Sequence, residues 1–74
     1  MSQLIRMDHT GHTVLAEWTM GDQASVDGAV ARFREQLDQG YFAVVSRGEG
    51  HAEQVRELPL EAETVILRRP IAGG

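Results

Sequence analysis

The sequence predicts an α+β domain: one helix packed on a four- to five-stranded mixed sheet, in the order ββαβββ. Three observations carry this. A period of two runs through QLIRMDH and VLAEWTM, with Gly11 in the turn between them. The period then changes to helical spacing at Val26, Ala29, Val30, Phe33 and Leu37. Short strand-like runs return after Gly40 and end in Val65-Ile66-Leu67, where apolar residues are consecutive. One apolar helix stripe against one sheet face makes a two-layer domain.

Each element has its own local signal. In the first run Ile5 and Met7 share one face and Leu4 and Arg6 the other. In the second, Val14, Ala16, Trp18 and Met20 alternate with Leu15, Glu17 and Thr19, which places the first set, Trp18 included, toward the core. The two runs predict an antiparallel hairpin. Asp22 or Ser25 can cap a helix from about Ala24. Gly28 weakens that helix and Gly40 ends it. YFAVVSR reads as a third strand and AEQVREL as a fourth anchored by Val55, with Leu60 plugging the core after Pro59. TVILRRP has the pattern of a central strand, and the first and last strands are its natural central pair.

Composition narrows the function classes. The chain has 74 residues, no cysteine and a formal net charge of −4. A disulfide scaffold, a thiolate metal site and a cysteine nucleophile are excluded. The acidic balance disfavours nucleic acid, whose binding needs a basic footprint. MSQLIRMDH does not read as a signal peptide, and no run is long enough to span a membrane, so no membrane partner and a cytoplasmic location are expected. No nucleophile triad, paired carboxylates or phosphate loop is present, and the chain is too small for a ligand pocket of usual volume. A non-enzymatic monomer with no bound cofactor is expected.

The hairpin IRMDHTGHTVLAEW, with its Thr10-Gly11-His12-Thr13 turn, resembles the opening hairpin of ubiquitin. The ending LPLEAETVILRRPIAGG is similar to that of the molybdopterin and thiamine sulfur carriers: a Pro-Leu bend, an acidic turn, a strand, then a proline-containing tail and Gly-Gly. The chain thus resembles the ubiquitin-like β-grasp superfamily, with residues 1–69 as the β-grasp domain and 70–74 as a flexible diglycine tail. Two details differ. The turn Glu61-Ala62-Glu63 has no glycine, and Arg68 and Arg69 precede the proline instead of lying in the tail.

The resemblance implies a protein modifier or sulfur carrier. An adenylating enzyme would use ATP to activate the carboxylate of Gly74, for an acceptor protein or a sulfur-transfer partner. Glycine at 73 and 74 suits an extended tail approached without side chains in the way, and Pro70 would stiffen the exit from the sheet. Arg68 and Arg69 could dock an acidic groove on that enzyme, or form an ordinary charged strand end. Strand alternation sends them to opposite sides, so they are not expected to form one patch.

A second reading is a non-covalent interaction module with an incidental tail. Its partner would bind the sheet face away from the helix, where Leu4, Leu15 and Ile66 are expected, along with one residue of Ala43–Val45. Asp8, His9 and His12 form a D-H-x-x-H cluster, with His51 in another turn. On a hairpin tip without a third ligand, these histidines read as solvated turn residues.

Overall fold

In the computed structural model, residues 1–46, 50 and 52–69 are described. Strand β1 (Ser2–Asp8) and strand β2 (Gly11–Trp18) form the antiparallel hairpin, followed by helix α1 (Gln23–Asp38). Strands β3 (Phe42–Ser46), β4 (Ala52–Val55) and β5 (Thr64–Arg68) complete a five-stranded mixed sheet in the order β2-β1-β5-β3-β4. This is an α+β fold consistent with the β-grasp arrangement, with β5 in the middle and parallel to β1.

The helix is capped at both ends by the residue types its sequence offers. Asp22 is extended and its Oδ1 accepts from the Ser25 N–H at 3.4 Å, while Ser25 Oγ donates back to the Asp22 carbonyl at 2.9 Å. At the other end Gly40 takes φ +99°, open only to glycine without strain. Its N–H reaches the Leu37 carbonyl at 3.0 Å, and the Tyr41 N–H reaches the Gln36 carbonyl at 3.1 Å. This pair of bonds is a Schellman motif, and it aims the chain from the helix directly into β3.

The core lies between α1 and one sheet face. Leu4, Trp18, Val26, Ala29, Phe33, Ala43, Val45, Val65 and Leu67 are buried there. Leu60 and Val55 pack against them from the side, as the sequence predicts. The Trp18 indole N–H donates to the Leu60 carbonyl at 3.1 Å, which satisfies the one polar atom of the largest core side chain and pins the bend after Pro59. Truncating Trp18 or Phe33 to alanine in such a core costs about 3–5 kcal/mol, a large share of a small domain's stability. Gln36 is also buried, a position the apolar stripe does not reveal, and its Oε1 has no hydrogen-bond partner.

The hairpin departs from strict alternation, with consequences for both faces. Leu4 pairs with Ala16, but Ile5 pairs with Val14, so Leu15 is an extra residue in a β-bulge. The bulge reverses the phase of β2. Ala16 and Trp18 face the helix as expected, whereas Val14 turns outward and is 45% exposed. Met20 lies beyond the end of β2 and is also exposed, so the expected inward set shrinks to two residues.

Gly28 lies in the middle of α1 on its exposed side, and a Cβ there would meet nothing within 4 Å. Gly28→Ala is therefore expected to stabilise the domain by about 0.5–1 kcal/mol through backbone entropy alone. Urea or thermal denaturation checks this; an unchanged or lowered midpoint would contradict it.

Candidate functional site

Two surfaces carry chemistry: the sheet face opposite the helix, and a cleft where β1 and β5 end. Pairing registers define the first. Ile5 stands between Val14 and Ile66, and Ile66 stands next to Val44, giving an apolar row across four strands. The neighbouring row is Met7, Arg68 and Phe42. An open depression on this face is lined by Phe42, Val44, Ala52, Ile66 and Arg68, among others. Ile66 is on this face, where it is expected.

Leu4 and Leu15 are not on this face. Leu4 pairs with Ala16 on one side and Val65 on the other, facing the helix, and is fully buried. The residue beside Ile66 is Ile5, because the parallel register matches Leu4 to Val65. A shift of one residue would have exchanged the two faces, and a sequence does not display register. Leu15 is drawn onto the core by the bulge. Val44 is the residue of Ala43–Val45 on this face, as expected, whereas Ile5 and Val14 are not among the face residues the sequence predicts. The alternation of Ile5 with Leu4 was the available signal, read in the opposite sense.

The second surface is an open cleft of about 530 Å³, lined by Met7, Asp8, His9, Tyr41, Arg68 and Arg69. The cleft opens to solvent instead of enclosing a ligand. The parallel pairing of β1 and β5 brings the Asp8-His9 turn beside Arg68, and the Schellman turn delivers Tyr41 from the third side. Arg68 and Arg69 do leave the strand on opposite sides: Arg68 pairs with Met7 on the outer face, while Arg69 lies over Tyr41, which packs against the core. They nevertheless line one cleft, because β5 stops at Arg68 and the cleft wraps the end of the sheet.

Around Tyr41 the charges are arranged tightly. The guanidinium carbons of Arg6 and Arg69 lie 5.8 Å and 5.6 Å from its ring centre, within cation–π range. Arg6 Nε stands 3.9 Å from Asp8 Oδ2, an ion pair too long for a hydrogen bond. Asp8 Oδ1 is held by Thr10, accepting from its hydroxyl and from its N–H at 2.9 Å. These bonds close the Asx turn that leads into Gly11 at φ +123°.

His9 lines the cleft, while His12 pairs with Met7 across the hairpin. Among the described residues, no three histidine or acidic side chains converge as a metal site. His51, Pro70, Gly73 and Gly74 lie outside the described residues. No described helix is long and apolar enough to cross a membrane.

Comparison with known proteins is negative throughout. No protein-family model, curated protein or solved structure matches this chain.

The Thr10 hydroxyl, then the Thr10 N–H, lower the Asp8 pKa below the ordinary aspartate value, with smaller contributions from the Arg6 and His9 charges. A lowered folded-state pKa means that the turn's contribution to stability is complete above the unfolded value of ~3.9 and is lost as pH falls through the lower folded value. NMR titration of the Asp8 carboxyl is expected to show a midpoint below that of an unstructured aspartate. Thr10→Val should move the midpoint back up; a midpoint already at the ordinary value in the parent chain would refute the assignment.

Proposed function

We propose that this chain is a ubiquitin-like carrier or modifier, activated by adenylation of the Gly74 carboxylate. One observation carries the reading. The central strand β5, held by β1 on one side and β3 on the other, ends at Arg68, and the sequence continues directly as Arg-Pro-Ile-Ala-Gly-Gly. A central strand is the most firmly anchored support in the sheet for a tail that must enter another protein's active site.

The chemistry needs little from the domain itself. A carboxylate is ionised at neutral pH and can attack the α-phosphorus of ATP in the partner's site, releasing pyrophosphate. A thiol or sulfur donor then attacks the acyl adenylate, and AMP leaves. The folded surface serves for recognition and the diglycine serves for access. The basic side chains are all arginine; the chain has no lysine. In an isopeptide product it can therefore donate its carboxylate, but the ε-amine must belong to the acceptor, and lysine-linked chains of this protein with itself are chemically impossible.

Incubation with a cognate adenylating enzyme and ATP is expected to yield a Gly74 adenylate, thioester or thiocarboxylate, read by mass spectrometry. Deletion of Gly73 and Gly74 should abolish the product. Failure to form any such product with a cognate enzyme, or full function after the deletion, would refute the proposal.

A second reading is favoured by the apolar row Val14, Ile5, Ile66 and Val44, which no element of the described fold covers. An apolar sheet face of this kind is a protein-binding surface in an interaction module whose tail is incidental. Ile66→Glu would then abolish partner binding while tail deletion leaves it intact, as read by titration calorimetry with the partner. The opposite pattern would exclude this reading.

A further inference from the structure

The chain has more than enough carboxylates to neutralise its arginines: 11 acidic residues against 7 basic ones. Among the described residues at the cleft that neutralisation is incomplete. Of the described residues, Asp8 is the one carboxylate lining it, and Asp8 already accepts from Thr10 at Oδ1 and faces Arg6 through Oδ2. Among the described residues, the Arg68 and Arg69 side chains make no ion pair. Arg6 Nε is buried without an acceptor, at 3.9 Å from Asp8 Oδ2.

Arg6 and Arg69 nevertheless both rest near the Tyr41 ring. Two guanidinium groups near one ring repel each other, and Asp8 stands against Arg6 alone. The ring also restricts their rotamers in advance, which lowers the entropy cost of filling their N–H edges.

We propose that the Tyr41 cleft binds an Asp/Glu-rich segment of a partner protein, its carboxylates taken by Arg68 and Arg69, with Tyr41 as the floor and Arg6 behind it. The planar fork of arginine matches a carboxylate in bidentate fashion. An extended acidic peptide also fits an open cleft of about 530 Å³, which does not need to enclose its ligand. A long polyanion such as nucleic acid would meet the protein's overall charge of −4, whereas a short acidic segment meets only the local positive field. The site stands independently of Gly74 activation, so either can fail without the other.

The test is an NMR titration of the isotope-labelled full chain with capped oligoglutamate at low salt. Saturable shifts are expected at the Arg6 and Arg69 Nε–H signals and at the Tyr41 amide, weakening as salt is added. The exposed double variant Arg68→Gln, Arg69→Gln should bind roughly tenfold more weakly or worse, while the sheet amides stay in place. Arg32→Gln, on the helix beside Glu35, should bind like the parent chain. Inorganic phosphate should bind more weakly than oligoglutamate. Absence of saturable shifts at the cleft, an equal response at Arg32, or tighter binding of phosphate would each overturn the proposal.

Discussion

Parallel pairing of the first strand with the last is the constraint on which the rest of this structure depends. It places β5 in the middle of the sheet and fixes Leu4 beside Val65 and Ile5 beside Ile66. From that register follow the identity of the core face, the apolar row on the outer face and the composition of the cleft. Parallel strands end on the same side, so the hairpin turn after β1 and the arginines after β5 meet at one end of the sheet. Antiparallel β3 starts at that same end, which brings Tyr41 to them. The charged cleft is thus a product of topology, assembled from three segments far apart in the chain.

With no disulfide and few aromatic residues, a chain of this length relies on close fit more than on mass of core. Trp18 and Phe33 are each about 1% exposed, and the indole hydrogen bond to Leu60 ties the loop before β5 to the hairpin, so the central strand enters the sheet in a set position. The polar compromises of the fold collect at the other end. Gln36 Oε1 and Arg6 Nε are both buried without partners. The Gln36 carbonyl also holds the Tyr41 amide in the helix-ending turn, and Arg6 lies over the Tyr41 ring. Buried unpaired polar atoms cost stability. At Arg6 this cost falls next to Tyr41, which lines the cleft.

The local elements were legible because their signals are local. The Asp22 cap, the stripe through Val26, Ala29 and Phe33, the Gly40 stop and the central position of Val65-Ile66-Leu67 could be read from spacing alone, and the structure places them accordingly. The face assignments were less legible. Leu4 and Leu15 were expected on the outer face, yet both lie on the helix side. One bulged residue reverses the phase of half a strand, and a run of alternating apolar residues looks the same before and after that reversal. Gln36 escaped notice because a polar residue on an apolar stripe is buried only when its neighbours close over it.

By itself, then, the sequence determined the element order, the helix and its caps, the absence of cysteine and lysine chemistry, and the diglycine that follows the last strand. These depend on residue type and on spacing within a single element. Tertiary structure alone decided that Ile5, and not Leu4, stands beside Ile66 on the open face. It also decided that Arg68 and Arg69, diverging from one strand, share a cleft with Asp8 and Tyr41. Both outcomes depend on register between strands distant in sequence, which is settled only when the faces pack and each one-residue slip acquires a cost.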